Sequence, residues 1–419
     1  MVKISSKPAI YSMFSLFIRM FAGPLAIVFI ATKLTLTEQG IYYTFISVGA
    51  VQFVFELGFS TCLVQFLAGS KSNRHKYSFI KFGLIFYCAA ISLMFITILV
   101  LANYLFADLM YEWHLPFYFY LLSLILTVAA NFFLVIDEGN IKVNAVYKTK
   151  MVSSIFYTIT LIFSLYYEFG LYSLSISQFI LAIIILARHH KVIKILLISA
   201  KVKNSEKLSV VSKTVFTFQY KLAIVWVFGY LFWNSFTLYF FKFESPDIAG
   251  KFGATNNVLN SLAFASASWL QTKRSIIGSF NANNNVFIGA KLALKSSFFS
   301  LITFGLTGVA FVFSIVWVPE ILSSRFLEYG ACFLFLIYRF FVLIQELILI
   351  YTRMFKDEPF YLFTALNYVS VAILIFSNVY INYTVDIFVQ VMVLQMLYST
   401  AFLYKLNKYL KLRLSESST

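Results

Sequence analysis

Long runs of apolar residues, separated by short polar segments, dominate this chain. Scanning for stretches of about 20 mostly apolar residues, the length that a helix needs to cross a bilayer, gives twelve candidates. They begin near Ile10, Gly40, Phe79, Phe117, Met151, Leu171, Val215, Ile248, Ser296, Glu328, Phe360 and Ile387. The pattern predicts an all-α integral membrane protein with twelve transmembrane helices. The lysines that precede the first stretch could suggest a signal peptide, but the stretch lacks a small-residue cleavage site, so we interpret it as the first helix.

The longest polar connection divides the predicted helices into two groups of six. We assign residues 1–190 to an N-terminal half, 191–214 to a cytoplasmic linker and 215–419 to a C-terminal half. In the linker, lysines alternate with apolar residues such as Val192, Ile193 and Leu197, which is typical either of a basic amphipathic helix on the membrane or of a solvated linker. Two six-helix halves that start on the same side are expected of parallel repeats around a central cavity.

Two short echoes between the halves agree with a repeat. A cation lies in the first helix of each half, at Arg19 and Lys221. The second helix of each half opens on a glycine, at Gly40 in Gly-Ile-Tyr-Tyr and at Gly250 in Gly-Lys-Phe-Gly. Pro24, next to a glycine inside the first helix, predicts a bend there.

Composition and charge place the loops. Hydrophobic residues make up 61% of the chain, charged residues only 12%, and the mean hydropathy is +0.84, whereas soluble domains are about 25% charged. With a cytoplasmic N-terminus, nearly all Lys and Arg residues fall in inside segments. Only Lys33, Lys242, Lys251 and Arg325 fall outside. This asymmetry predicts cytoplasmic N- and C-termini. It also explains the net charge of +16 without a nucleic-acid surface.

Cysteine and histidine suggest neither disulfides nor metal. Cys62, Cys88 and Cys332 all lie in predicted helices and form no CxxC pair. The adjacent His189 and His190 lack further ligands nearby, so we interpret them as part of a solvated basic stretch.

Three cations inside the apolar segments are the principal candidate site residues. Arg19, Lys221 and Arg339 each lie within a predicted helix. A cation at the centre of a membrane helix costs roughly 2.5 to 3.5 kcal/mol, so it normally faces a protein interior or a water-filled cavity. The predicted helices hold only two acids, Glu56 and Glu346, and the excess positive charge predicts a cavity that binds an anion such as phosphate or pyrophosphate.

Other roles for these charges stay open. An arginine could pair with an acid to join helices, and Lys221 lies close enough to the cytoplasmic face to extend into it. Arg339 and Glu346 are on one face of a helix but about 10 Å apart along it, too far for a direct pair by backbone geometry. Glu56 and Glu346 are also candidates for coupling transport to a proton or sodium gradient, because burial favours a protonated carboxyl.

The eighth predicted helix is unusually polar and could line a lumen that binds sugars. Asn257 lies in it, and Asn234 is a polar residue of the seventh helix. The alternative is that these side chains join neighbouring helices through hydrogen bonds.

Short motifs resemble the bacterial polysaccharide flippases of the Wzx type. They are the sequence at Phe55–Phe59 in the second helix, preceded by Gly40–Tyr43, and the cytoplasmic sequence at Glu138–Val143. The resemblance implies the fold of the multidrug/oligosaccharidyl-lipid/polysaccharide exporter superfamily. It also implies translocation of an undecaprenyl-diphosphate-linked oligosaccharide, such as an O-antigen unit, across the bacterial inner membrane. Such a protein is not an enzyme and needs no cofactor, and its expected partners are the lipid-linked substrate, membrane lipids, a polysaccharide polymerase and a chain-length regulator.

Two other classes remain as alternatives. A membrane-embedded polymerase or glycosyltransferase usually needs a sizeable external loop, and the predicted outside loops here are short. A multidrug cation exporter of the same superfamily should have an acidic cavity, opposite in sign to the charges found here.

Overall fold

The computed structural model describes residues 25–70, 72–201, 208–282, 285–317, 319–355, 358–381 and 386–418. Within these ranges the regular secondary structure is helical and contains no strand, as predicted. By internal packing the chain forms two compact units, Met1–Gly250 and Lys251–Thr419. The predicted halves, divided at the linker 191–214, stay a prediction about the sequence repeat.

The first unit consists mainly of long helices joined by short turns. In chain order its helices are α1 (25–33), α2 (Leu36–Gly49), α3 (Gln52–Glu56), α4 (Phe59–Gly69), α5 (Asn73–Phe106), α6 (His114–Gly139), α7 (Val143–Tyr166), α8 (Tyr172–Arg188), α9 (Lys191–Lys201) and α10 (Leu208–Tyr239), followed by a π-helical turn at Phe240–Glu244. Helix α8 packs along both α6 and α7. The first turn of α11 (Pro246–Gln271) completes this unit.

The second unit contains the rest of α11 and six further helices. These are α12 (Arg274–Ala282), α13 (Val286–Trp317), α14 (Glu320–Ser323), α15 (Tyr329–Arg353), α16 (Tyr361–Ile381) and α17 (Ile387–Ser418). Helix α15 is central, since it packs against both α13 and α17.

The chain is a multi-pass membrane protein. Within the described residues eight helices are long and apolar enough to cross a bilayer, and a ninth crossing results if the bent pair Leu36–Glu56 and Phe59–Gly69 is one span. Helix α8 is apolar but has only 17 residues, and α11 carries many amides and hydroxyls. The total of twelve crossings and the cytoplasmic location of both termini therefore stay predictions.

Described residues of the predicted linker include a helix, α9. Its buried Val192 and the half-buried Ile195 and Leu196 pack in a hydrophobic cluster with residues of α5 and α6. Helix formation in this segment is thus confirmed.

The interpretation of His189 as a solvated residue was wrong, although its neighbour His190 is exposed. The His189 imidazole is only 2% exposed. Its Nδ1 lies 2.7 Å from Asp137 Oδ2, and its Nε2 lies 3.0 Å from Thr149 Oγ1. Asp137 also accepts a hydrogen bond from Lys142 Nζ at 2.8 Å. The backbone turns inward just after α8, and the imidazole joins the ends of α6, α7 and α8.

Candidate functional site

The motif at Phe55–Phe59 forms a break in a membrane helix. Leu57 and Gly58 both adopt left-handed backbone conformations, with φ of 52° and 66°. The helical pair on either side of them is bent by 41°. A non-glycine residue in this conformation costs about 1 to 2 kcal/mol, so contacts elsewhere in the fold must hold Leu57 in place.

One face of α10 supplies those contacts. The buried Gln219 donates a hydrogen bond from Nε2 to the Leu57 carbonyl at 3.0 Å, which satisfies a backbone group that the break frees. A methyl group at Gly58 would lie 2.6 Å from Leu222 Cδ2 and 2.8 Å from Trp226 Nε1. Gly58 is therefore required both by its φ and by the close approach of α10.

Glu56 ends α3 immediately before this break and is half-buried. Its Oε1 accepts a hydrogen bond from Tyr87 Oη at 3.1 Å. Within the described part of the chain Glu56 forms no ion pair. Its proposed coupling role rests on this position, at a discontinuity of the kind that often surrounds ion and substrate sites in transporters.

Lys221 and Asn234, the two other candidates on α10, lie apart from the break. Lys221 is two residues from Gln219, hence about 200° around the helix and on the opposite face. Asn234 is half-buried and donates from Nδ2 to the Tyr230 carbonyl at 2.9 Å, a bond within its own helix. Arg19 and Pro24 lie outside the described residues.

The second unit holds the most developed polar cluster. Arg339, near the middle of α15, is only 4% exposed. Its Nε donates to Asn260 Oδ1 of α11 at 2.8 Å. Its Nη2 donates to Glu346 Oε1 and Oε2 at 3.1 and 3.2 Å. A buried guanidinium is thereby shared between an amide on one helix and a carboxylate on its own.

The conclusion that Arg339 and Glu346 are too far apart to pair was wrong. That conclusion used only the distance between the two residues along the helix axis. Helical side chains lean toward the N-terminus, which carries the Glu346 carboxylate back along α15, and the long arginine side chain covers the remaining distance. The pair is intrahelical, so it does not join two helices, and the contact between helices comes from Asn260.

Asn257 lies one turn before Asn260 on the polar helix that the sequence predicted. Its carbonyl accepts a hydrogen bond from Ser261 Oγ at 2.8 Å, and its half-buried side chain has no hydrogen-bond partner within the described residues. Asn260 donates in turn to Asn256 Oδ1 at 2.9 Å. Asn256 and Asn260 of α11 are thus linked by hydrogen bonds to Arg339.

Sequence reasoning missed a second polar group in this unit. Gln345 on α15, Asn367 on α16 and Gln395 and Ser399 on α17 are all buried and hydrogen-bonded to one another at 2.7 to 3.0 Å. Amides within apolar helices were the available signal. Because their donors satisfy each other, we interpret them as joining three helices.

A close helix contact connects α2 with the first turn of α11. Gln39 donates from Nε2 to the Gly250 carbonyl at 2.9 Å, and Thr37 donates to Asp247 Oδ1 at 2.9 Å. A methyl group at Gly40 would lie 1.9 Å from the Pro246 carbonyl oxygen, and one at Gly250 would lie 2.9 Å from the Gly40 nitrogen. The two glycines that echo each other in sequence therefore meet, and we name this contact the Gly40 seam.

Polar side chains border the Gly40 seam. A capping box starts α2, in which Glu38 accepts a hydrogen bond from the Thr35 backbone. Tyr111 Oη donates to Glu38 at 2.6 Å. Partial burial, and then this hydrogen bond to a carboxylate, raise the pKa of Tyr111 above its ordinary value. The phenol therefore stays a hydrogen-bond donor to Glu38 at neutral pH.

No protein-family model matches the chain, and no curated protein matches it in sequence. Solved structures match it in fold. The lipid II flippase MurJ, in an inward closed conformation, matches with a TM-score of 0.69 at 13% identity over 99% of this chain and 91% of its own. A multidrug resistance MATE family transporter of the MOP superfamily, in an inward-facing conformation, matches with a TM-score of 0.68 at 12% identity, covering 97% and 100% of the two chains.

A variant of the Vibrio cholerae MATE transporter VcmN also matches, with a TM-score of 0.58 at 13% identity over 97% of this chain and 98% of its own. These likenesses span almost the whole of each chain, so they concern the complete helical arrangement. The chain has the fold shared by MATE transporters and the lipid II flippase, and this confirms the fold that its motifs implied.

Proposed function

We propose that this protein translocates an undecaprenyl-diphosphate-linked oligosaccharide, such as an O-antigen unit, across the bacterial inner membrane by alternating access. The observation that carries the proposal is the buried Arg339, held by an amide and a carboxylate in a fold shared with a lipid II flippase. The guanidinium presents a planar fork of N–H donors, which suits a diphosphate because that group offers several anionic oxygens.

In this mechanism Arg339 changes partner during transport. A phosphate oxygen takes the place of the Glu346 carboxylate at Nη2. Return of Arg339 to Glu346 releases the phosphate. Glu346, like Glu56 a candidate for ion coupling, thereby competes with the substrate for Arg339, while Asn257 and Asn260 donate to sugar hydroxyls.

The pairing of Arg339 changes the charge balance that the sequence suggested. Glu346 neutralises Arg339 in the absence of substrate, so the excess positive charge rests on Arg19 and Lys221 against Glu56. We propose that these two cations attract the diphosphate electrostatically and that Arg339 binds it. Energy from a proton or sodium gradient, and partnership with a polymerase and a chain-length regulator, belong to the same proposal.

Multidrug export is the second candidate function. The fold likeness to MATE transporters is as close as that to the lipid II flippase, and it favours neither substrate. Under this alternative Glu56, which forms no ion pair within the described residues, would bind a cationic drug. Neutralising Arg339 would then leave export intact, whereas Glu56→Gln would abolish it.

The experiment is complementation of a deletion strain of the natural host, with surface polysaccharide and lipid-linked oligosaccharide measured together. We expect the deletion strain to lose its surface polysaccharide and to accumulate complete lipid-linked oligosaccharide units on the cytoplasmic side of the membrane. Accumulation of single units in the periplasm would instead indicate a polymerase. Unchanged polysaccharide would leave drug export as the better account.

Site variants make the test specific. Arg339→Ala should fail to complement, and Arg339→Lys should partly restore export. Arg353→Ala is the matched control, because Arg353 lies on the same helix and pairs with Glu358 at 2.7 Å but is 38% exposed at the helix end. If removal of the Glu346 charge together with Arg339 restored export, the pair would be structural and the binding role would be wrong.

A further inference from the structure

Helix α9 carries three distinct faces. Val192 and Ser199 are buried, and together with Ile195 and Leu196 they form the side that faces the other helices of the first unit. Ile193 and Leu197 are 50% and 58% exposed, four residues apart on one flank, and Ile198, 39% exposed, lies on the other flank between two lysines.

The other flank is basic. Lys191 and Lys194 are both exposed and lie three residues apart, about 100° around the helix from the exposed apolar pair. Exposed Arg188 ends α8 just before this helix. None of these three cations forms an ion pair within the described part of the chain.

Neighbouring elements add further positive charge. The first turns of α5, on which α9 packs, contain Arg74 and Lys76. From Arg188 through Lys213 the sequence holds many cations and one acid, Glu206. The sequence predicts that α8 crosses the bilayer, and this crossing would place the charges of α9 at the level of the headgroups.

We infer that α9, with the adjoining start of α5, is a docking surface for anionic phospholipid. The exposed apolar pair inserts at the boundary of the acyl chains, and Lys191 and Lys194 contact headgroup phosphates. Three exposed aliphatic side chains bury far less area than a stable protein interface needs, and the charge is complementary to an anionic leaflet. Partner proteins are therefore the less suitable occupants of this surface.

The test measures which lipid surrounds this helix. A bimane label at Leu197→Cys, in full-length protein with the exposed Cys88 replaced by Ser, is placed in nanodiscs of phosphatidylcholine with about a third phosphatidylglycerol. Either lipid is supplied in brominated form, which quenches the label on contact. Cys62 and Cys332 are buried and should not react.

We expect brominated phosphatidylglycerol to quench several-fold more than brominated phosphatidylcholine at equal content. Each lysine contributes about fivefold to anionic binding, so Lys191→Gln with Lys194→Gln should abolish the preference, and about 1 M salt should reduce it. The control, Lys291→Gln with Lys295→Gln, neutralises two exposed lysines of α13 and should change nothing.

Two results would overturn the inference. Equal quenching by both lipids would show a helix in the membrane without preference for anionic headgroups. Absence of quenching by either lipid would show that Leu197 does not face acyl chains, which would fit a solvated linker or a bound protein.

Discussion

The close packing at the Gly40 seam predicts that Gly40→Ala, which adds a single methyl group, separates the two helices. A Cβ at position 40 would lie 1.9 Å from the Pro246 carbonyl oxygen and 2.6 Å from its carbonyl carbon, against an ordinary contact of about 3.5 Å. Gly40→Ala therefore forces α2 and the first turn of α11 apart. The obstacle is backbone, so a change of rotamer cannot relieve it.

The magnitude follows from the contacts that separation breaks. Two hydrogen bonds, from Gln39 to Gly250 and from Thr37 to Asp247, contribute about 1 kcal/mol each, and forced overpacking costs about 1 to 3 kcal/mol. The variant either keeps these bonds under strain or loses them to relieve it, so the closed seam is destabilised by about 2 kcal/mol, which shifts its equilibrium with the open seam by about 30-fold. We expect Gly40→Ala to keep α2 and the first turn of α11 apart and therefore to slow transport.

Disulfide trapping measures the closed seam. Cysteines at Thr37 and Asp247, whose side-chain oxygens are 2.9 Å apart, should cross-link readily in membranes of the Cys88→Ser background. The yield should fall sharply with Gly40→Ala. Gly305→Ala is the control, because a methyl there meets open space. Equal yields in the two glycine variants would refute the reasoning.

Two further predictions concern stability. Gly58→Ala should lower the free energy of unfolding by about 2 to 4 kcal/mol, because its φ is 66° and its Cβ would meet α10, whereas Gly69→Ala, which meets open space, should be nearly neutral. His189→Ala should cost about 3 kcal/mol, because it removes two buried hydrogen bonds, one of them to a carboxylate, whereas His190→Ala on the exposed surface should change little. Thermal unfolding of the purified proteins in detergent measures both, and equal losses within either pair would contradict the structure.

The fold could be predicted because its signals are local. Apolar runs near the length of a bilayer crossing predict helices, and Gly40 and Gly250, expected to open two of them, each lie four residues after the observed start of helices that touch. The polar side chains of α11 likewise predicted a helix that forms hydrogen bonds within the protein, as Asn260 does with Arg339. The lengths and positions of the apolar runs were thus sufficient to predict a multi-pass membrane protein.

The details of the site depend on side-chain reach and on distant contacts. The pairing of Arg339 with Glu346 could not be derived from backbone rise, because two flexible side chains close the distance. The break at Leu57 opposes the local preference of leucine and needs Gln219, far away in sequence, to hold it. His189 carried no local sign of burial, since its partners come from two other helices.

Direct translocation by the purified protein tests the central claim most sharply. A fluorescent undecaprenyl-diphosphate oligosaccharide, reconstituted with the protein in vesicles, would be followed by the access of an impermeant reagent to its sugar. The account predicts that protected sugar becomes accessible only with active protein, and that Arg339→Ala stops this while Arg353→Ala does not. Unchanged protection with the unaltered protein, under either a proton or a sodium gradient, would contradict a flippase.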